Sequence, residues 1–89
     1  MTEGTKPLIV YGAVWCPDVF MARRYLDRHG VAYEYRDIDK VPEAKAALLD
    51  IAGAGWVVPT IVMPDGEVLH SPSVRELADK LGRPSRKKV

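Results

Sequence analysis

Eighty-nine residues, 47% hydrophobic and 28% charged, suit one small soluble domain with a modest core and short loops. No apolar run nears the roughly 20 residues that a membrane span needs, and residues 1–5 lack a basic segment ahead of an apolar core, so a cytoplasmic protein is expected. The net charge of +1 hides an asymmetry: Arg83, Arg86, Lys87 and Lys88 hold four of the 13 basic charges, and the remainder carries 9 basic against 12 acidic residues, which excludes a nucleic-acid surface by charge.

Residues 7–11 are short and almost wholly apolar, the pattern of a central strand covered on both faces. They lead into Val14-Trp15-Cys16-Pro17-Asp18-Val19, which holds the only cysteine, so no internal disulfide can form. A helix is predicted over 17–29, with Val19, Ala22, Tyr25 and Leu26 as its buried stripe and Arg23, Arg24, Asp27 and Arg28 opposite. Pro17 suits the first helical position, where its missing N–H is not needed. Cys16 then stands at a helix N-terminus, whose N–H groups and dipole favour a negative charge such as a thiolate. A nucleophilic thiol is one reading, and a buried structural cysteine is the other. Arg28 and His29 suit the helix C-terminus and Gly30 the residue after it, so His29 has a helix-end role rather than a catalytic one.

Residues 32–38 form a second strand, parallel to the first through a βαβ connection. Asp37 and Asp39 read as loop and capping acids, since no ligand cluster accompanies them. A second helix is expected over 42–52, opening at Pro42 and burying Ala44, Ala47, Leu48 and Ile51, with Gly53-Ala54-Gly55 ending it. Pro59, at the head of an apolar run, marks a sheet edge or the start of a strand. Pro64-Asp65-Gly66-Glu67 is a hairpin turn joining antiparallel strands at 60–63 and 67–69, with His70 exposed beside it. Ser73 and Glu76 form a capping box for a third helix, which buries Val74, Leu77, Ala78 and Leu81 and stops at Gly82. One domain over 1–82 with a basic, disordered tail at 83–89 is the expected organisation.

Four segments in this order carry a resemblance: Tyr-Gly-Ala-Val-Trp-Cys at 11–16, Asp-Ile-Asp-Lys-Val-Pro-Glu-Ala at 37–44, Val-Val-Pro-Thr-Ile-Val at 57–62, and Pro-Asp-Gly-Glu-Val-Leu at 64–69 with Ser-Pro-Ser behind it. Over residues 7–82 the chain resembles the glutaredoxins, and among them the mycoredoxin-like branch. That resemblance implies an α/β, thioredoxin-like fold of order β-α-β-α-β-β-α, a four-stranded mixed sheet flanked by three helices. It implies that Cys16 attacks mixed disulfides between a protein and a low-molecular-weight thiol, glutathione or mycothiol. Pro59 would be cis and face the cysteine, and the Val58 backbone would pair with the small thiol as an added strand. Ser71 and Ser73, at the start of the third helix, would hold a carboxylate or polar group of that thiol. Trp15 and Pro17 would flank the sulfur.

Two departures shape the expected chemistry. Val19 stands where the family's commonest motif has a second cysteine, so exchange would be monothiol. Ala13 and Trp56 replace the basic residues many members carry, leaving the helix N-terminus to stabilise a thiolate that Asp18 opposes. The expectation is a monothiol oxidoreductase, monomeric, with no tightly bound cofactor, no metal and no nucleic-acid or membrane partner. Its co-substrate would be glutathione or mycothiol and its substrates thiolated proteins. The alternatives are a non-catalytic thioredoxin-fold binding module, or an iron–sulfur carrier that uses Cys16 in a dimer.

Overall fold

The computed structural model describes residues 7–82; the basic tail expected at 83–89 lies outside them. The order is β1 (Leu8–Gly12), α1 (Pro17–Arg28), β2 (Tyr33–Asp37), α2 (Pro42–Ala52), a 3₁₀ turn (Gly53–Gly55), β3 (Thr60–Val62), β4 (Val68–His70) and α3 (Val74–Leu81). The four strands form one mixed sheet in the order β2-β1-β3-β4. β1 runs parallel to β2, with Gly12 opposite Asp37, and antiparallel to β3, with Tyr11 opposite Thr60. β3 and β4 close the hairpin, with Ile61 opposite Leu69.

Side chains alternate across a strand, so an apolar β1 feeds two cores. Leu8 and Val10 join Ala22, Tyr25 and Leu26 of α1, Ile61 of β3 and Leu77 and Ala78 of α3 on one face. Tyr11 and Ala13 join Ile38, Ala44 and Leu48 on the face that α2 covers. The stripe expected for α1 is the buried one. On α2 the buried line is Ala44 and Leu48, with Ala52 partly covered, while Ile51 is 38% exposed. A contact line at i, i+4, i+8 has turned Ile51 to the rim of so short a helix.

The ends of the elements follow local chemistry. Gly30, at φ 65°, lets the chain leave α1 as the Val31 N–H bonds the Leu26 carbonyl at 3.0 Å. The Asp37 carboxylate is buried and accepts the Asp39 and Lys40 N–H groups at 2.8 and 3.2 Å, the loop role expected of it. The hairpin turn takes up one residue more than expected on each side: the Met63 N–H bonds the Glu67 carbonyl at 2.7 Å, and regular pairing resumes at Val68. Ser73 caps α3, its hydroxyl accepting the Glu76 N–H at 3.0 Å.

Two packing details lead to predictions. A Cβ on Gly12 would lie 2.7 and 2.9 Å from the two Val19 methyls and 3.1 Å from the Tyr35 ring. Val19 is β-branched and buried, so neither methyl can swing away. Gly12→Ala should therefore lower unfolding free energy by about 1–3 kcal/mol in denaturant titrations. The Tyr35 hydroxyl is buried with no hydrogen-bond partner among the described residues. Burial pushes its pKa up, the Asp37 charge adds to the rise and the Arg23 guanidinium opposes it. The unfolded phenol ionises first, near about 10, so stability should fall as pH rises from there through the folded value. Tyr35→Phe should flatten that fall and leave stability at pH 7 unchanged or about 1 kcal/mol higher, measured by the same titrations at pH 7 and above 10.

Candidate functional site

The pairing of Tyr11 with Thr60 sets the end of β1 beside the start of β3. Four residues beyond the end of β1, the Cys16 N–H bonds the Ala13 carbonyl at 3.2 Å, and the tight loop turns into α1. Cys16 is the N-cap residue, in an extended conformation (φ −94°, ψ 117°), and Pro17 is the first helical residue. The Cys16 carbonyl accepts the Val19 and Phe20 N–H groups at 3.1 and 3.2 Å, which starts the helix without a side-chain cap. Its side chain is therefore uncommitted to capping. The thiol instead donates a weak hydrogen bond to the Val58 carbonyl, Sγ···O 3.8 Å, across 42 residues of chain. Cys16 is free and 9% exposed.

The Val58–Pro59 peptide bond is cis. Pro59 is fully buried and precedes β3, an interior strand, so it marks a strand start rather than an edge. Its carbonyl accepts the Ser71 N–H at 2.7 Å, extending the β3–β4 pairing past His70. Cys16, Val58, Pro59 and Ser71 thus form one chain of contacts, and Ser73 lies two residues on, at the start of α3. Ser71 itself has φ 48°, a left-handed conformation rare outside glycine and asparagine and often found at functional sites. Its amide and the Ser73 hydroxyl are already engaged. A ligand there would meet the Ser71 hydroxyl and the opening N–H groups of α3.

Trp15 is 63% exposed beside the cysteine, and its indole Nε1 donates to the Asp39 carboxylate at 2.7 Å. Pro17 and Val57 are exposed as well. Trp56, for which the sequence offers no role, is half-buried on the α2 side, with the Lys45 ammonium 4.7 Å from its ring centre. Val19 is buried, so the position three residues after the cysteine faces Gly12 and the core.

Sequence reasoning missed two residues. Asp39 was legible as a loop acid, but its bond to Trp15 joins loops 24 residues apart, and nothing local signals that. Thr60 is fully buried and its hydroxyl donates to the Val57 carbonyl at 2.6 Å, holding the turn before Pro59. Its only signal was its place after the proline. Among the described residues, no three His, Cys, Asp or Glu side chains gather to hold a metal ion, and no helix is long and apolar enough to cross a membrane.

Comparison with known proteins bears on the family and the fold. The glutaredoxin family model matches residues 8–69. A Mycobacterium tuberculosis (strain H37Rv) protein named as a glutaredoxin is 30% identical over 77 residues, 86% of this chain and 92% of its own. A glutaredoxin of Pseudomonas aeruginosa is 35% identical over 51 residues, 57% of this chain and 61% of its own. Among solved structures, a mutant of the thioredoxin-like protein BC3987 superposes with a TM-score of 0.76 at 31% identity, covering 86% of this chain and 96% of that one. The solution structure of Brucella melitensis glutaredoxin, at 21% identity and a TM-score of 0.61, covers 92% of this chain and 87% of its own and shares the fold. The four-stranded mixed sheet flanked by three helices is a thioredoxin-like fold, and the chain belongs to the glutaredoxin family of thiol–disulfide oxidoreductases.

Proposed function

We propose that this protein is a monothiol oxidoreductase that exchanges Cys16 with mixed disulfides between proteins and a low-molecular-weight thiol, glutathione or mycothiol. The observation that carries this reading is the position of the Cys16 sulfur, at the start of α1 and 3.8 Å from the Val58 carbonyl. Cys16 loses its proton and its thiolate attacks the small-thiol sulfur of the mixed disulfide. The S–S bond to the protein breaks, and the protein leaves as a thiolate that takes up a proton. Cys16 now carries the small thiol as a disulfide. A second small thiol, as its thiolate, attacks that disulfide, leaving as the oxidised dimer and returning Cys16 to its thiolate. One free small thiol and the mixed disulfide thus become the reduced protein and the disulfide of two small thiols: the incoming thiol is oxidised and the protein sulfur is reduced. With Val19 in place of a second cysteine, no internal disulfide competes.

The other residues have binding roles in this reading. Once Cys16 carries the small thiol it has no S–H to donate, and the Val58 carbonyl is released for an amide of the bound thiol. The Ser71 hydroxyl and the first N–H groups of α3 meet its carboxylate. Trp15 and Pro17 border the sulfur, and the Asp39 carboxylate holds the Trp15 indole in place. The low exposure of Cys16, 9%, favours a second reading, a module that binds a partner without exchange.

The two readings separate in one experiment. After incubation with oxidised glutathione and, separately, oxidised mycothiol, intact mass should show a single adduct with at least one of them. The adduct should map to Cys16, disappear on adding the free thiol, and be absent from Cys16→Ser. A chain left unmodified by both would support the binding module. Asp39→Ala should change stability by no more than about 1 kcal/mol, because the bond it removes is solvent-exposed. In a Trp56→Phe background it should still shift the Trp15 fluorescence emission and raise KM for a small mixed disulfide. An unchanged emission would mean that the indole is not held there.

A further inference from the structure

The outer face of α1 carries a second feature, beside the thiol but outside the contacts above. A groove of about 770 Å³ runs along it. The end nearest the cysteine is apolar: Val14 and Phe20 border it and are 67% and 59% exposed. The far end is basic, lined by Arg23, Arg24 and Arg28, with Asp27 the acid among them. Arg23 is a fixed wall. Its guanidinium lies 3.9 Å from the Tyr35 ring centre and its Nε donates to the Tyr33 hydroxyl at 3.4 Å.

Arg24 and Arg28 differ from Arg23. Neither has an ion pair or hydrogen bond among the described residues, and both are exposed. They stand four apart on one helical face, where like charges repel by a few tenths of a kcal/mol. Arg28 offsets this by suiting the helix C-terminus, whereas Arg24, in mid-helix, has only Asp27 three residues on and makes no ion pair with it. An exposed aromatic beside two guanidinium groups that form no ion pair, in a groove where three arginines outnumber one aspartate, complements a chain that offers carboxylates and an apolar side chain. Twelve helical residues span about 18 Å, room for five or six residues of extended chain at about 3.3 Å each.

We infer that this groove docks an acidic segment of the thiolated protein substrate while its mixed disulfide meets Cys16. The inference rests on the exchange chemistry proposed above and adds a substrate class: proteins whose modified cysteine has carboxylates, with an apolar residue, a few positions away. Phe20 and Val14 receive the apolar side chain, and Arg24 and Arg28 receive the carboxylates. The small thiol is bound elsewhere, at Val58 and the head of α3.

The test uses the full chain and two synthetic peptides, each with one cysteine in mixed disulfide with glutathione. They are identical except for three glutamates or three lysines beside a leucine on one side of the cysteine. The glutamate peptide should be reduced about five- to tenfold faster at low salt, and the advantage should shrink as salt rises. Arg24→Glu with Arg28→Glu should reverse the order. The same double variant should leave turnover of the small mixed disulfide of glutathione and mercaptoethanol unchanged. Arg24→Gln with Arg28→Gln, which neutralises without adding like charges, should remove the preference without reversing it. Equal, measurable turnover of the two peptides would overturn the inference. So would an equal loss on the small disulfide, which would place the small thiol in the groove, or a dimer in sedimentation that the charge reversal dissociates. A second arm does not depend on exchange: binding of the same peptides with serine for cysteine to Cys16→Ser protein, followed by amide chemical shifts. Selective shifts at Phe20, Arg24 and Arg28 with the glutamate peptide support the docking surface even if no disulfide is turned over, and in that case only the exchange reading fails. Absence of such shifts removes the docking surface whatever the turnover.

Discussion

The antiparallel pairing of β1 with β3, in which Tyr11 faces Thr60, is the constraint on which the site depends. The two strands run in opposite directions, so the end of one lies beside the start of the other. The end of β1 delivers Cys16, and the start of β3 follows Pro59. A thiol and a carbonyl 42 residues apart in sequence therefore meet at 3.8 Å. β1 also sits between its two neighbours and sends side chains into both cores.

Each turn near the cysteine is held by a bond that leaves its sulfur unused. The Ala13 carbonyl closes the loop, the Cys16 carbonyl starts the helix, and the Thr60 hydroxyl fixes the turn before Pro59. Gly12 is part of the same arrangement: without a side chain it lets Val19 pack onto the end of β1, drawing the first turn of α1 against the sheet. Val19 thus has a packing role. Backbone and small side chains build the support, and the thiol makes one weak contact, the kind readily exchanged for a covalent partner.

Around this support the surface divides by chemistry. On one side, the Val58 carbonyl, Ser71 and the head of α3 offer backbone and hydroxyl groups suited to a small peptide-like thiol. On the other, Val14, Phe20, Arg24 and Arg28 offer apolar area and charge suited to a longer chain. Trp15 stands beside the sulfur, with its indole tied to Asp39 across two loops. In the exchange proposed above, a mixed disulfide between a protein and a small thiol would present two such halves to Cys16.

The elements were legible in the sequence because the signals that make them are local. The stripe of Val19, Ala22, Tyr25 and Leu26, the prolines at 17 and 42, the Ser73 cap and the Asp65-Gly66 turn act within a few residues, and so did the placing of Cys16 at a helix start. Ile51 escaped because helical spacing defines a face but not where its neighbours stop covering it. The order of the sheet, the 3.8 Å approach of Sγ to Val58, the engagement of Ser71 by Pro59 and the bond from Trp15 to Asp39 belong to the tertiary structure alone. The three contacts join residues 12 to 42 apart and the β1–β3 pairing residues 49 to 53 apart, and such contacts depend on which strands pair, in what register and against which helices, quantities that no local window of sequence contains.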